Sequence, residues 1–305
     1  MNPTVSVVIP TKNRREILAQ TIASILKQNI SLEIIVLDDG GNDGTPAMLR
    51  AQFPDVRVER FEQSKGPTLR RNQGAKLARG EFLFTIDDDC TFPDADTFAQ
   101  TVAAFDKPQI GAVTVPFINV NKDATQIITA APDDAQPYAA FDYYGGMIAF
   151  RRKLFTRLGG YRPYYFMNVE EGDLAMRMLN AGYVVRLGTA APLDHHESPI
   201  RVSKRLNELG PRNSILYAWY NVPMPFLVPH IIGTGLKAAL HIWRIGHPDQ
   251  AVRGYLQGWA AVLHEMRKRR PVSRACYQLS RELVTRRAVP MNEVLPRLAA
   301  LEGAN

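Results

Sequence analysis

Three short apolar runs, each followed at once by polar side chains, place the strongest constraint on how this chain can fold. They occupy residues 5–10, 32–37 and 81–86. Apolar runs of this length are typical of strands that are buried on both faces. A helix is expected over residues 15–28, and Pro46 suits the first turn of the next helix. This order of strands and helices predicts an α/β fold with a mostly parallel sheet.

The polar side chains that follow the runs are expected to meet at one edge of the sheet. They lie at Pro10, Thr11, Asn13 and Arg14, at Asp38 and Asp39, and at Asp87, Asp88 and Asp89. Open parallel sheets bind their ligands beyond the carboxyl ends of the strands. The sequence therefore predicts a binding site where the three clusters converge. Pro10 is expected to break the first strand, because proline lacks the donor that a strand ladder needs.

The run Asp87-Asp88-Asp89 is the most informative of these clusters. Three adjacent carboxylates repel one another and are costly to desolvate. A divalent cation removes that cost, and Mg²⁺ or Mn²⁺ is commonly held by one or two carboxylates together with substrate phosphates. An isolated run of three aspartates would more simply be an acidic turn or a helix cap. The two other polar clusters at the same edge favour the metal.

Five segments together carry a family resemblance. They are VSVVIPTKNR at 5–14, IIVLDDGGNDGT at 34–45, GPTLRRNQGAKLARGEFLFTIDDD at 66–89, GGMIAFRRKLFTRLGGY at 145–161 and EEGDLAMRMLNAGY at 170–183. In this order they resemble glycosyltransferase family 2, and in particular its inverting, non-processive, rhamnosyltransferase-like members. The resemblance implies a Rossmann-like GT-A fold, with a mostly parallel central sheet flanked by helices and a helical C-terminal extension.

The resemblance implies a nucleotide-sugar donor, with UDP, dTDP or GDP as the nucleotide. It places Pro10, Thr11 and Asn13 around the nucleotide base. Asp39 would accept a hydrogen bond from a ring N–H of that base. Asp38 either shares this site or caps the turn that follows it.

Contacts to the rest of the donor follow from the same resemblance. Arg71 would lie near the phosphates, where a planar and permanently charged donor suits phosphate oxygens. Its neighbour Arg70 is expected at the surface. Asp87 would point toward the ribose. Asp88 is at the variable middle position of the motif, and its role is open because it could also reach the donor. Arg212 either folds over the diphosphate or caps its helix.

The divalent cation, Mn²⁺ or Mg²⁺, is assigned by the resemblance to Asp89 and to one histidine of the pair His195-His196. We prefer His195, although the residues leave the choice open. An imidazole ligand suits Mn²⁺ somewhat better than Mg²⁺. A histidine pair on its own is more often polar packing. Cys90 is expected to be a small buried residue and not a ligand.

Glu171 aligns with the catalytic carboxylate of the family, and Glu170 is the alternative. The predicted mechanism is direct displacement, in which Glu171 removes the acceptor proton and the bound cation takes up charge on the leaving diphosphate. Asp173 would anchor the same helix through Arg177, four residues further on. Acidic residues also favour a helix start through the dipole alone, so this assignment depends on the other motifs. Asn72 is expected to fix backbone by hydrogen bonds.

Other functions compete with this one. A sugar-1-phosphate nucleotidyltransferase would carry a glycine-rich loop after the first strand, where this chain has PTKNRRE, and a dinucleotide oxidoreductase would carry G-x-G-x-x-G. A non-catalytic nucleotide-sugar-binding or membrane scaffold protein stays open as the alternative. The chain lacks the Gln-x-x-Arg-Trp motif of processive synthases, which predicts the addition of one or few sugars. The acceptor is expected to be a saccharide, lipid-linked or small molecule, in polysaccharide or glycoconjugate biosynthesis.

Charge divides the chain between a predicted catalytic domain at 1–200 and a mainly helical region at 201–305. Residues 201–305 hold 16 Lys or Arg against 6 Asp or Glu, whereas residues 1–200 hold 21 against 24. The basic excess predicts an anionic partner surface. Nucleic acid is disfavoured because no nucleic-acid-binding motif is found. A membrane surface near residues 267–270, a solvated basic helix face and a homodimer contact all stay open.

The stretch 214–243 is strongly apolar, and Lys237 is its only formal charge. Its length permits a membrane span. Closely spaced prolines argue instead for an interfacial or core-packed helical pair; they are Pro223, Pro225 and Pro229. The two cysteines form no disulfide framework and no signal peptide opens the chain, which predicts a cytoplasmic protein, either free or peripheral on the inner face of the membrane.

Overall fold

The computed structural model describes residues 2–197, 203–244 and 246–302. The strands are β1 (Val5–Thr11), β2 (Leu32–Asp39), β3 (Arg57–Phe61), β4 (Phe82–Ile86), β5 (Cys90–Thr91), β6 (Ile110–Thr114), β7 (Phe117–Asn119), β8 (Asp123–Ile128), β9 (Tyr138–Ala140), β10 (Met147–Arg151), β11 (Val184–Arg186), β12 (Leu193–His195) and β13 (Val289–Pro290). The α-helices are α1 (Arg15–Ile25), α2 (Thr45–Gln52), α3 (Pro67–Leu77), α4 (Thr97–Ala103), α5 (Arg152–Arg157), α6 (Glu170–Asn180), α7 (Ser203–Asn221), α8 (Leu227–Arg244), α9 (Pro248–Glu265), α10 (Arg274–Arg286) and α11 (Met291–Glu302). Short 3₁₀ turns occupy Pro163–Tyr165 and Met266–Lys268.

A nine-stranded sheet forms the centre of the molecule, in the order β13-β9-β11-β6-β10-β4-β1-β2-β3. Seven of these nine strands, among the described residues, run in one direction, and β9 and β10 run against them. The predicted α/β fold with a mostly parallel sheet is therefore confirmed. All seven residues of β1 are buried, because helices cover both faces of the sheet.

The first strand does not end at Pro10, and that expectation is wrong. β1 continues through Pro10 to Thr11, where it pairs with β2 opposite Asp38. Its pairing with β4 has already stopped at Val8. The proline is tolerated because it lies where one of the two neighbouring ladders has ended.

A second, four-stranded sheet in the order β5-β12-β7-β8 closes the site from one side. Strand β5 begins at Cys90, directly after the three aspartates, and pairs antiparallel with β12 so that His195 lies opposite Cys90. Two segments that are far apart in sequence are thus fixed side by side by their ladder. This register brings a histidine next to Asp89.

The C-terminal part of the chain leaves the sheet and then returns to it. Helix α7 packs against α6, α8 and α9, and α8 and α9 also contact each other. Strand β13 then pairs with β9 at the sheet edge, and α10 and α11 pack against α6 and β9. The predicted division at residue 200 stays a prediction, but residues beyond it belong to the same sheet.

The apolar stretch at 214–243 forms parts of two helices, α7 and α8, with a break at residues 222–226. The predicted helical pair is confirmed. Among the described residues, no helix combines the length and apolar character that crossing a bilayer requires.

Candidate active site

Each carboxylate of the triple aspartate has a cationic partner at the carboxyl end of β4. Asp87 forms an ion pair with Arg71 at 2.6 Å. Arg14 bridges the other two, with one nitrogen 2.9 Å from Asp88 and 2.7 Å from Asp89. The repulsion that the sequence predicted between the three is thus offset by two guanidinium groups.

Asp88 is fixed inside the protein. It is 6% exposed and accepts hydrogen bonds from Thr11 Oγ1 at 2.7 Å and from Arg14. Burial raises the pKa of Asp88 to about 6, against the opposing effects of Arg14 and Thr11. These contacts hold the end of β1 to the end of β4. The sequence motifs included Arg14 but gave it no role; its position directly after a strand that ends at the same sheet edge is the signal that could have found it.

Asp89 and His195 form the pair that the sequence predicted for the metal. His195 Nε2 lies 3.3 Å from Asp89 Oδ1, and both side chains are buried. Burial raises the pKa of Asp89, but His195 and Arg14 outweigh it and hold that pKa below its usual range. His196 instead lies with Nε2 2.8 Å from Thr91 Oγ1. The geometry therefore favours His195 of the two histidines.

Cys90 completes the one group of possible metal ligands that the described residues form. Single ligand atoms of Asp89, Cys90 and His195 all lie within 4.8 Å of one another. Burial and the three neighbouring aspartates raise the pKa of the Cys90 thiol well above its usual value. Because metals bind the thiolate, Cys90 is the least suited member. A carboxylate oxygen and an imidazole nitrogen suit Mn²⁺ or Mg²⁺ once phosphate oxygens add to the shell.

The acidic pair Glu170-Glu171 begins α6 on the other side of the cleft. Glu170 is 2% exposed, and burial together with the charge of Glu171 raises its pKa to about 8. Glu171 is partly exposed and accepts a hydrogen bond from the Gly145 N–H at 3.4 Å. Burial also raises the pKa of Glu171. Both pKa values are raised because the two carboxyl groups are enclosed side by side, and Glu170 is the more buried of the two.

Two glycines bring the aspartates and the glutamates together. A Cβ at Gly146 would lie 2.1 Å from the carboxyl carbon of Asp87, and a Cβ at Gly145 would lie 2.8 Å from Arg71 Nη1 and 3.2 Å from Glu171 Oε1. The distances show that the close approach requires them.

The loop before α6 is strained. Phe166, Asn168 and Val169 have φ values of 65°, 69° and 73°, a region that side chains rarely adopt. The buried amide of Asn213 on α7 holds the loop, because its Nδ2 donates to the carbonyls of Tyr165 at 3.0 Å and of Met167 and Asn168 at 2.8 Å. Sequence reasoning gave Asn213 no role, since nothing in its neighbours reveals a loop more than forty residues away.

Arg212, next to Asn213, donates to the Tyr164 carbonyl at 2.7 Å and lies over the Tyr164 ring. It contacts neither a helix end nor the aspartates in the described contacts. Its predicted role at the diphosphate stays a prediction. Arg212 and Asn213 thus bind neighbouring carbonyls of the segment 164–168.

Asp39 has four protein donors. It accepts hydrogen bonds from Ser64 Oγ, from the Lys65 and Gly66 N–H groups and from Arg70 Nε. A carboxylate has about four acceptor positions, so a nucleotide base N–H would have to replace one of these donors. The predicted base contact of Asp39 stays a prediction.

Arg70 corrects the sequence analysis, because it is buried and not at the surface. It is 2% exposed, pairs with Asp39 and lies 3.5 Å over the Phe61 ring. The buried carboxylate and the aromatic face outweigh the preference of a guanidinium for water. The sequence could not show this, because Asp39 and Arg70 meet only through the fold.

Several other predictions can be placed in the structure. Asp38 accepts the Gly41 N–H at 2.9 Å, which confirms that it caps the turn. Asn72 fixes the Tyr161 backbone through both its oxygen and its nitrogen. Asp173 pairs with Arg177 at 2.7 Å, as predicted. Pro10 is buried, and Asn13 accepts the Asn42 N–H at 2.7 Å, so both lie at the predicted edge.

The fold and the site together define the class of protein: a GT-A-like α/β fold with aspartates at the carboxyl end of the sheet and a glutamate pair facing them. The sequence matches the family model "Glycosyl transferase family 2" over residues 6–159. That match covers half of the chain, and the protein belongs to glycosyltransferase family 2.

Curated relatives match this chain over only part of its length. The GalNAc(5)-diNAcBac-PP-undecaprenol beta-1,3-glucosyltransferase of Campylobacter jejuni is 39% identical over 92 residues, which are 28% of this chain and 30% of that protein. An uncharacterized glycosyltransferase of Haemophilus influenzae is 27% identical over 184 residues, covering 57% and 61% of the two chains. The chain thus matches less than two thirds of the length of these relatives.

Solved structures show the same fold at low identity. A mannosyltransferase from Pyrobaculum calidifontis, solved in complex with GDP-Man and Mn²⁺, has a TM-score of 0.57 at 20% identity, covering 99% of this chain and 87% of that one. Staphylococcus aureus TarS in complex with UDP-GlcNAc has a TM-score of 0.58 at 18% identity, covering 81% and 74%. Both likenesses concern the fold.

Proposed function

We propose that this protein transfers a single sugar from a nucleoside-diphosphate sugar to an acceptor hydroxyl, with inversion at the anomeric carbon. The observation that carries the proposal is the meeting of Asp87, Arg71 and Glu171 around Gly145 and Gly146. A fixed cation and two carboxylates thus lie close together beyond the carboxyl end of β4. Displacement of a diphosphate needs these three groups.

Arg71 would bind the leaving diphosphate. Its guanidinium is buried and pairs with Asp87, and the charges of Asp87, Glu170 and Glu171 help to keep it protonated. Pro10, Thr11, Asn13 and Asp39 would border the nucleotide base at the ends of β1 and β2. Asp88 would support this edge through Thr11.

Asp89 and His195 would hold a divalent cation. When bound, the cation supplies charge stabilisation for the leaving diphosphate. The Mn²⁺ in the Pyrobaculum mannosyltransferase complex and the nitrogen donor of His195 both support Mn²⁺. Arg14, which contacts Asp89 at 2.7 Å, would have to give up part of that contact.

Glu171 would act as the base. Its partial exposure lets an acceptor hydroxyl reach it, whereas Glu170 is enclosed. Glu171 takes the hydroxyl proton as the acceptor oxygen forms its bond to the anomeric carbon and the bond to the diphosphate breaks. A single displacement of this kind inverts the configuration.

We extend the proposal to a saccharide acceptor in glycoconjugate or polysaccharide assembly. The support is the Campylobacter jejuni relative, whose name describes a saccharide linked to undecaprenol through a pyrophosphate. A lipid-linked acceptor would bring the reaction to a membrane surface.

Calorimetric titration of UDP, dTDP and GDP, each with Mn²⁺, Mg²⁺ or EDTA, tests the donor site. We expect one nucleotide to bind with a metal dependence that Asp89→Ala abolishes. Glu171→Gln should keep that binding and lose transfer by about 10²–10⁴-fold. Binding of no nucleotide with any metal would replace the enzyme by the scaffold alternative, and near-normal transfer by Glu171→Gln would refute the assignment of the base.

A further inference from the structure

Helices α8 and α9 each expose a row of large apolar side chains. All members of the two rows are at least 48% exposed. The row on α8 is Val228, Ile232, Leu236, Leu240 and Trp243; the row on α9 is Val252, Leu256, Trp259 and Leu263, and Met266 follows it. We call these ten residues the outer face. A cluster of this size is unusual on a soluble surface and marks an interaction site.

The two rows lie on the side of the pair that faces away from α7. Within each row the spacing is three or four residues, so each row follows one side of its helix. Gly254 and Gly258 of α9 face α7, and each lies two positions from a member of the row, on the opposite side of the helix. Gly235 of α8 lies against Tyr255 of α9, which joins the two helices edge to edge.

Positive charge surrounds the outer face. Residues 227–270 contain seven Lys or Arg and two Asp or Glu. One of the two acids, Glu265, is buried and bound to Tyr220 and Lys268. Six of the seven cations are exposed, on the two helices or directly after α9; they are Lys237, Arg244, Arg253, Arg267, Lys268 and Arg270.

We propose that the outer face lies on the surface of an anionic lipid bilayer, with α8 and α9 parallel to the membrane plane. An apolar row with a cationic border and tryptophans suits the boundary between acyl chains and anionic headgroups. Trp243 and Trp259 supply the aromatic side chains favoured at that depth. Neither helix is long and apolar enough to cross the bilayer.

Charge distinguishes this occupant from a second copy of the chain. In a two-fold contact each outer face would meet its own equivalent, so the cationic borders would come together and repel. An anionic membrane neutralises the same border. The net charge therefore favours lipid over self-association.

The docked face would connect to the catalytic loop through a single helix. Helix α7 packs against both α8 and α9, and its Asn213 holds the loop before Glu170. Membrane binding would thus fix the cleft at a set height above the lipid. Membrane binding by the outer face is a property separate from sugar transfer, and it can be tested without a nucleotide.

Co-sedimentation with vesicles tests the proposal, using phosphatidylcholine vesicles with and without 30% phosphatidylglycerol as a chosen composition. We expect binding to the anionic vesicles, a shift of tryptophan emission to shorter wavelength, and at least about tenfold weaker binding in Leu236→Glu/Leu256→Glu. Leu26→Glu is the matched control, since Leu26 is 53% exposed at the end of α1, outside the outer face, and the change should leave binding unchanged. High salt should also weaken binding.

Three outcomes would overturn the proposal. Absence of binding to both vesicle types would exclude lipid as the occupant. Equal loss in the Leu26→Glu control would show that the effect is not specific to the outer face. A dimer in sedimentation velocity that Leu236→Glu/Leu256→Glu dissociates, without vesicle binding by the wild type, would assign the face to a second copy.

Discussion

The cleft and the outer face depart from the usual distribution of side chains in opposite directions. The cleft buries ionisable side chains: Asp88, Asp89 and Glu170 are each at most 6% exposed. The outer face exposes apolar bulk, with Leu256 67% and Trp243 73% exposed. Each arrangement costs stability in water unless a partner compensates for it. This difference underlies our two proposals, a charged ligand for the cleft and an anionic lipid surface for the outer face.

Apart from removal of the base, the largest effect is expected from a change that breaks the crowding around Asp87. Gly146→Ala would place a methyl group 2.1 Å from the Asp87 carboxyl carbon, so Asp87 or the loop must move. We expect transfer to fall about 100-fold, since a displacement near 1 Å costs that much in an active site. Steady-state kinetics with a saturating donor would measure it.

Gly233→Ala is the matched control. A Cβ there meets no atom within 4 Å, and Gly233 lies inside α8. Transfer should be unchanged, and the free energy of unfolding should rise by about 0.5–1 kcal/mol because alanine is the better helix former. Equal loss in both variants would mean that any added methyl group is harmful, and that the cleft is not specially crowded.

The next effect should come from the loop clamp. Asn213→Ala leaves the carbonyls of Tyr165, Met167 and Asn168 without their donor. We expect the free energy of unfolding to fall by about 1–3 kcal/mol. Because the loop carries Glu170 and Glu171, transfer should fall more than nucleotide binding does. An unchanged rate with lowered stability would make Asn213 purely structural.

A smaller and pH-dependent effect is expected from Glu170. Its pKa is about 8 in the folded protein and 4.5 for an ordinary glutamate, the value expected in the unfolded chain. Between pH 4.5 and 8 the folded state therefore binds more protons than the unfolded state. Its contribution to stability is complete below about pH 4.5 and is lost as pH rises through 8. Glu170→Gln removes this loss, so the variant should gain stability relative to wild type by at least about 1 kcal/mol between pH 5 and 8.5.

Urea unfolding in EDTA at several pH values would measure that difference. Glu293→Gln provides the contrast, because Arg286 lowers the pKa of the exposed Glu293. Its pH dependence should therefore lie below about pH 4.5, with the opposite sign. A constant difference between wild type and Glu170→Gln across the range would contradict the buried, protonated state of Glu170.

The smallest effect on stability is expected at the outer face. Leu236→Glu and Leu256→Glu change side chains that are 61% and 67% exposed, so the free energy of unfolding should change by no more than about 0.5 kcal/mol. Thermal unfolding of the lipid-free protein would measure it. A loss of several kcal/mol would show that these leucines pack inside the protein, and would remove the contrast with the cleft.

Sequence patterns were sufficient for the central part of the fold. The runs at 5–10, 32–37 and 81–86 correspond to β1, β2 and β4. They could be predicted because strands that are buried on both faces have nearly continuous apolar sequences. Their polar ends meet, since parallel strands share one carboxyl edge. The family motifs are short contiguous segments, so the aspartates and glutamates that they contain could be identified from the sequence.

Contacts between distant segments could not be read from the sequence. Arg70 looked like a surface residue until Asp39 and Phe61 were placed beside it. The roles of Arg14 and Asn213 depend in the same way on partners that are far along the chain. The outer face was hidden because an apolar helix has the same composition whether its row of leucines faces the core or the solvent.

The chain path around α8 and α9 has one more consequence. The Arg270 N–H donates to the Tyr220 carbonyl at 3.2 Å, and the Val272 N–H donates to the Asn221 carbonyl at 3.0 Å. The chain therefore leaves the C-terminal end of α7 and returns to the same place, so the segment that carries α8 and α9 has its two ends side by side. A replacement segment would have to keep the side chains of α9 that pack on α7, such as Ala261 and Val262. The side chains of the outer face have no such constraint, so substitutions there would change what this surface binds while the cleft keeps its residues.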